Sequence, residues 1–415
     1  VRILFVSNYY PPFEIGGYEQ LCRDVVRRLA ERGHDVNVIT STRGVPRDGD
    51  REIRGVSRSL YLTPDPTCRL STGIQYFLSR RAPEEHNLQV LRSGVARFQP
   101  DVIFIWNLQG LPRSIALEAE SFSGIGVAYW LAGYSPAEPD EYWVYWARPP
   151  KIRSRLSSLK ASLGRRALLH LRSEGKPARP AMRHAAVVSE YMRERGIYEG
   201  VLPRHARVIY NGVETDVFYR PVPQSWGNRP KLLIAGRLSP DKGVDIAIRA
   251  AALTLRGHPG CEFRLAIAGT GPEPYLKALK RAAEECGIAE RVSFLGWLPR
   301  EQMPGLMHRS HILLLPTVHQ EPFARVVLEA MAAGLAVVAA DTGGTGEVVR
   351  DGETGLLCAP GDSADLARQL TRLLTETGLR VRVAKAGQAM VLGRFNIDRM
   401  IDAVEGLLQE AVRDP

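Results

Sequence analysis

The chain has 415 residues, 45% of them apolar and 24% charged, and a formal net charge of +10. Its length exceeds what one hydrophobic core usually serves, so two domains are expected. Composition is that of an ordinary globular protein without biased repeats, and no apolar run reaches the roughly 18–20 residues that exclude or admit a spanning helix. The five cysteines, Cys22, Cys68, Cys261, Cys286 and Cys358, form no CxxC pair. They read as free thiols of a reducing compartment, the cytoplasm, rather than as a disulfide framework or zinc site. The positive excess sits in the N-terminal half: residues 1–200 hold 29 Lys+Arg against 21 Asp+Glu, the remainder 26 against 24. Such an excess attracts an anionic partner or surface. No nucleic acid partner is expected.

VRILFVSNYY is basic and then apolar, but the run is too short for a secretory signal and PPFEIGG follows where a small-residue cleavage site would stand. ILFVS (3–7) is therefore read as the first buried strand. PPFEIGGYEQ (11–20) leads into a helix, with Gly16 and Gly17 allowing close approach of a ligand and the helix dipole favouring an anion. A purely structural turn is the alternative. The stretch is not GxGxxG, and no acidic residue closes the second strand, which argues against a nicotinamide dinucleotide. Leu21, Val25 and Leu29 recur at spacing four, and Gly33 ends the helix. VNVIT (36–40), DVIFIW (101–106), VAYWL (127–131) and AAVVS (185–189) supply further strands.

Between the last two lies 148–183, with eleven Lys+Arg and a single acid, Glu174. Ile152, Leu156, Leu159 and Leu163 fall on one helical face, so the segment reads as a basic amphipathic helix able to lie on an anionic membrane. The alternative is an insertion whose leucines cap the first domain. QSWGNRP (224–230) is a Gly/Pro/Asn break, and the strand pattern restarts after it: KLLIAGR, FRLAIAG, VSFLG, HILLLP, AVVAA and GLLCAP. Strands alternating with helices predict two doubly wound α/β domains divided near residue 225. A last helix, about 396–412, could pack on either. In such sheets ligands bind beyond the carboxyl ends of the strands.

GRLSPDKGVD (236–245) places Arg237 and Lys242 before a helix, a fork and a point charge suited to a diphosphate, or else two solvated cations. EPFARVVLEAMAAG carries Glu321 in the loop after HILLLP and Glu329 in the following helix. Eight helical residues rise about 12 Å, roughly the span from a sugar ring to a nucleotide ribose. A glutamate within an apolar helix needs a partner, either a ribose diol or a core cation.

Taken in order, GGxE after the first strand, RGHDV (32–36), VSEYMRE (188–194), IYNGVETDVF (209–218), GRLSPDKG, AGTGPE (268–273), FLGW (294–297) and the spaced glutamates resemble family 4 of the retaining GT-B glycosyltransferases, also called glycosyl transferases group 1. The resemblance implies two Rossmann-like domains facing across a cleft: 1–224 plus 393–415 for the acceptor, and 225–392 for the nucleotide-sugar donor, with the terminal helix returning to the first. It implies that Arg237 and Lys242 hold the donor diphosphate, that Glu321 hydrogen-bonds the transferred sugar, and that Glu329 binds the ribose. Main-chain groups around Phe323 and Ala324 would help with the sugar, those of Arg325 and Val326 with the phosphates, and Gly17 with Gly16 would lie beside the diphosphate. No metal or other cofactor is implied, since the nucleotide sugar, UDP-sugar by frequency, is a substrate. No enzymatic base is implied either, because the leaving phosphate takes the acceptor proton. The acceptor is open, lipid-linked or a natural product among the choices, with peripheral contact at the inner face of a membrane through 148–183.

Two departures bear on the donor. Ala132-Gly133 stands where the family often has His-Asp, and Ala324 stands where a glycine is usual. A nucleotide-sugar epimerase of the same architecture and a catalytically weak nucleotide-sugar-binding homologue are the alternatives.

Overall fold

The computed structural model describes residues 1–13, 16–43, 55–63, 69–133, 141–147, 155–173, 178–223 and 229–415. The chain forms two compact units. One comprises Val1–Val188, Arg193–Ile209 and Ala403–Pro415; the other comprises Ser189–Met192 and Tyr210–Asp402.

In the first unit, β1 (Arg2–Ser7), β2 (Asp35–Ser41), β3 (Val56–Leu60), β4 (Val102–Trp106), β5 (Gly126–Leu131), β6 (His184–Val187) and β7 (Arg207–Val208) make one sheet in the order β3-β2-β1-β4-β5-β6-β7. Every pairing is parallel. Parallel sheets are covered on both faces, so their central strands are apolar throughout rather than alternating. β4 and β5 obey this, each buried at every position. A side chain such as Ile3 or Phe104, with no exposed surface, contributes roughly 1.5–3 kcal/mol by burial. Trp106 and Trp130 stack at 4.0 Å, and their indole N–H groups donate to the carbonyls of Tyr18 and Ile209 at 3.1 and 3.2 Å. The two edge strands were not anticipated. VSRSL presents no apolar face, and β7 is only two residues long.

In the second unit, β8 (Lys231–Ala235), β9 (Arg264–Ala268), β10 (Val292–Gly296), β11 (Ile312–Leu315), β12 (Ala336–Ala340) and β13 (Leu356–Cys358) run in the order β10-β9-β8-β11-β12-β13, again all parallel. Both sheets begin in the middle and reverse direction beside the first strand, between β1 and β4 and between β8 and β11. Those are the points where open α/β sheets leave room for a ligand. Leu232, Ile234, Ile248, Leu265, Ile267 and Leu314 centre the core of this unit.

The expected division at 224/225 falls in 224–228, outside the described residues. The compact units divide earlier, at 209/210, because 210–222 packs on the second unit. Val213 bridges to Asn396, Phe218 is fully buried, and the Arg220 N–H donates to the Ala332 carbonyl at 3.4 Å. At the other end the second unit keeps residues up to Asp402, and of the terminal helix Ile397–Arg413 only the part from Ala403 onward belongs to the first, with Asp414 and Pro415 after it. Glu405 fixes that end, accepting from Arg32 at 2.7 Å and meeting His34 at 3.0 Å. Those two hydrogen bonds hold its carboxyl below the usual range.

The basic segment forms the helix Arg155–Ser173. Of its expected apolar face, Ile152 and the Leu156 side chain lie outside the described residues, while Leu159 is 49% exposed. Leu163 of that face is half-buried, and it packs with the buried Ala167 and Leu171 in a cluster with Tyr145, Trp146 and Phe77. Among the described residues no helix is long and apolar enough to cross a membrane, and Cys22, Cys261, Cys286 and Cys358 are free thiols.

Candidate functional site

The second unit gathers polar groups at the carboxyl ends of β8 and β11. β8 ends at Ala235, and the chain then turns through Arg237 and a single 3-10 turn, Pro240–Lys242, before the helix Val244–Gly257. Gly243 makes the entry possible. Its φ is +65°, and a Cβ there would lie 2.0 Å from the Pro316 carbonyl oxygen, in the loop after β11. Only glycine admits that approach and that backbone together. The two loops are also tied by the Val318 N–H donating to the Asp241 carbonyl at 2.9 Å.

This contact sets Lys242 against Glu321: Nζ lies 2.7 Å from Oε2, with side chains 25% and 12% exposed. His319 Nε2 is 3.6 Å from the same oxygen, and its Nδ1 is 3.7 Å from Asp241. Arg237 lies 3.7 Å from Asp241 and is half exposed. Burial pushes the Asp241 carboxyl up, but the Ser239 hydroxyl, the Arg237 guanidinium and His319 outweigh it, so the group sits below its ordinary value. From the far side the loop after β12 closes on Glu321. Gly343, at φ +53°, would bring a Cβ to 2.1 Å from the Glu321 carbonyl oxygen, which accepts the Gly344 N–H at 2.8 Å. Arg237, Lys242 and Glu321 are thus brought together by three interlocked loops, as two cations and one carboxylate of which Arg237 reaches solvent.

Glu321 precedes the helix Arg325–Ala332, and Glu329 lies within it. Phe323 is buried against Tyr210 and Phe395, and its carbonyl accepts from Asn211 Nδ2 at 3.0 Å. Phe323 therefore anchors the loop. No side chain caps the helix at Ala324. Val326 is half-buried on its first turn, while Arg325 is 8% exposed and turns back along the helix to Glu329, Nε to Oε1 3.3 Å. Glu329, 4% exposed, also accepts from Arg300 at 2.5 Å. A core ion pair is thus the partner that Glu329 has here.

Gly16 and Gly17 belong to the first unit. Gly16 is the N-cap of the helix Gly17–Glu31, in extended backbone, and its N–H donates to Glu19 Oε2 at 2.9 Å. That helix terminus already holds a carboxylate. Ala132 and Gly133 follow β5 in the same unit, and a Cβ at Gly133 would meet nothing within 4 Å.

Three residues at these loops escaped sequence reasoning. His319 and Arg300 offered no periodic or spacing signal. Asn211 stood in the quoted segment IYNGVETDVF, but nothing there tells that its amide holds the Phe323 carbonyl.

Residues 15–217 match Glycosyltransferase Family 4, and residues 218–390 match Glycosyl transferases group 1. A D-inositol 3-phosphate glycosyltransferase of Acidothermus cellulolyticus is 29% identical over 100% of this chain and 91% of its own. Among solved structures, Anabaena HepE in complex with UDP-glucose aligns over 99% of both chains with a TM-score of 0.68 at 21% identity. Sucrose-phosphate synthase from Thermosynechococcus elongatus aligns over 100% of both, with a TM-score of 0.72 at 19% identity. With paired family matches running in order along nearly the whole chain, on two parallel-sheet units of this topology, the protein belongs to the family 4, group 1 glycosyltransferases of GT-B architecture.

Proposed function

We propose that the protein transfers a sugar from a nucleoside-diphosphate sugar, UDP-sugar favoured, with retention at the anomeric carbon and without a metal or other cofactor. The observation that carries this reading is the grouping of Arg237, Lys242 and Glu321 at one end of one sheet. When the sugar–phosphate bond breaks, negative charge grows on the departing diphosphate. Cations already fixed beside it stabilise the transition state more than the ground state. Lys242 and Glu321 are each other's partners at 2.7 Å. Donor binding exchanges these partners: phosphate oxygens accept from Lys242, and hydroxyls of the sugar donate to Glu321. As the acceptor oxygen bonds to the anomeric carbon, the phosphate oxygen leaves it and takes the acceptor proton, so no side chain serves as base. The UDP-glucose held by HepE supports the choice of uridine.

The test is a panel of labelled nucleotide sugars, scored for nucleoside diphosphate release, with anomeric configuration of the product read by NMR. Release from one donor that vanishes in Arg237→Ala and Lys242→Ala supports the assignment. Unaltered nucleotide affinity after Arg237, Lys242 and Glu329 have all been replaced would show that the face is wrong.

A second reading concerns location. The helix Arg155–Ser173 contains no acidic residue, and Leu159 and Leu169, 49% and 62% exposed, stand among the exposed Arg165, Arg166 and Arg172. Exposed leucines interspersed with exposed arginines suit an anionic bilayer surface, which supports the proposal of peripheral contact at the inner face of the membrane. Co-sedimentation with phosphatidylglycerol vesicles but not with phosphatidylcholine vesicles is the expected result, lost in Arg165→Glu/Arg166→Glu.

A further inference from the structure

His319 stands between the carboxylates of Asp241 and Glu321, and each of its ring nitrogens faces an acceptor. Nδ1 is 3.4 Å from the Asp241 carbonyl oxygen and 3.7 Å from the Asp241 carboxylate, while Nε2 is 3.6 Å from Glu321 Oε2. A carbonyl and an ionised carboxylate only accept. With its hydrogen on Nδ1, a neutral ring therefore turns the Nε2 lone pair on Glu321, whereas a doubly protonated ring turns an N–H on it. The ring is 33% exposed, so a proton reaches it from solvent.

The charges that face His319 come from two loops. The turn after β8 brings Lys242 and Asp241, with Arg237 3.7 Å beyond Asp241, and its own loop brings Glu321. The loop after β12 meets that loop through main chain, the Gly343 N–H donating to the Gln320 side chain at 2.9 Å and the Gly344 N–H to the Glu321 carbonyl at 2.8 Å. Arg237, Asp241, His319, Glu321 and Lys242 thus form a chain in which the two carboxylates alternate with nitrogen bases, and histidine is the one residue type among them that changes charge near neutral pH.

We propose that His319 is a positioning residue for the transferred sugar: when Lys242 turns to the diphosphate, His319 takes a proton from solvent and holds the Glu321 carboxylate in its place. The inference rests on the donor reading given above and adds a proton linkage to it. Lys242 is 2.7 Å from Glu321, whose side chain is 12% exposed. Once phosphate draws the ammonium away, that carboxylate is largely out of water without its cation, a costly state. An imidazolium 3.6 Å away offsets the cost, and the arriving diphosphate favours positive charge on the ring as well. Donor binding then consumes protons, and affinity falls as pH rises.

The experiment is calorimetric titration of the full chain with UDP-glucose, ADP-glucose and GDP-mannose, whose diesterified phosphates do not titrate near neutral pH. Titrations in HEPES and in Tris, which differ in ionisation enthalpy, give the number of protons taken up. Variants are His319→Gln, neutral at every pH, and His319→Lys, charged throughout, each checked for an unchanged thermal midpoint. Wild type is expected to take up about 0.2–0.4 of a proton near pH 7 with the sugar nucleotide it binds. Its affinity falls about two- to fivefold from about pH 6 to about pH 8.5, the range of one partly exposed ion pair. His319→Gln binds at all pH values as wild type does at the alkaline end, and His319→Lys as wild type does at the acid end, both without the uptake. Equal uptake and pH slope in wild type and folded His319→Gln overturn the role of His319. So does a loss of affinity by the same factor at every pH, the mark of a merely structural side chain. Failure of all three nucleotide sugars to bind wild type, or affinity indifferent to Lys242→Ala, overturns the donor reading underneath.

Discussion

The two units present the same corner twice and fill it with opposite charge. Each sheet has its first strand in the middle, and each first strand leads through a glycine-bearing turn into a helix. In the first unit the turn ends at Gly16 and the helix start is taken by Glu19, a fully buried carboxylate. In the second the turn carries Arg237 and Lys242 and is locked to its neighbours by Gly243. A helix N-terminus attracts anions in either case. One corner supplies its own anion from three residues downstream, and the other surrounds the place with cations. Topology gives both the opportunity, and side chains decide which one has room for a diphosphate.

The largest expected effect breaks the second corner chemically. Arg237→Ala together with Lys242→Ala removes two charged donors, each worth about 1.5–3 kcal/mol to an anion, so nucleoside diphosphate affinity falls by about two to four orders of magnitude. Calorimetry on the folded double variant measures it. A loss below tenfold would move the diphosphate away from this turn. Substituting the first unit's basic residues, for instance Arg23→Ala, leaves that affinity within a factor of two.

Next comes the backbone of the two corners. Gly243→Ala forces a non-glycine residue to φ +65° and drives its methyl against the Pro316 carbonyl. Strain and overpacking together cost about 2–5 kcal/mol, read as a lower midpoint in urea. Gly16→Ala meets only Glu19 Oε2 at 3.6 Å, an ordinary contact, from extended backbone. It is expected to cost less than about 1 kcal/mol, the difference between glycine and alanine at an N-cap. Equal destabilisation at both positions would remove the idea that only the second corner is built by close approach of two loops.

Sequence alone revealed these corners unevenly, for physical reasons. The central strands announce themselves because both faces are buried, as in VIFIW, ILLL and AVVAA. β3 and β7 lie at an edge and carry no such pattern. Local spacing singles out Lys242 and Glu321 separately in their turns, but their 2.7 Å contact depends on β8 and β11 being neighbours, which local spacing does not encode. Arg300 is 29 residues from Glu329 in the chain, so the partner of that glutamate was a choice between ribose and a cation until the packing of the loop after β10 was known. The compact units divide at 209/210 and not at the glycine- and proline-bearing break near 225, since such a break marks an interruption of secondary structure, whereas packing of Val213 and Phe218 ties 210–222 to the second unit.

The smallest expected effect decides how far the comparison between the corners holds. Glu19→Gln keeps an acceptor for the Gly16 N–H, since glutamine serves a capping box as glutamate does. It removes only the negative charge at the helix start, so stability changes by about 0.3–1 kcal/mol. Its consequence for ligand is sharper in sign than in size. If the first unit's helix start serves the diphosphate, as the family resemblance implies for Gly17, then deleting a like charge there tightens nucleoside diphosphate binding by about two- to fivefold, the range of a single helix-dipole interaction. If Glu19 has closed that terminus to anions, affinity stays as it was, because a neutral amide still occupies the Gly16 N–H. Calorimetry on Glu19→Gln beside wild type distinguishes the two, and a tightening would assign to the Gly16–Gly17 turn an electrostatic share in holding the donor that its own carboxylate partly cancels.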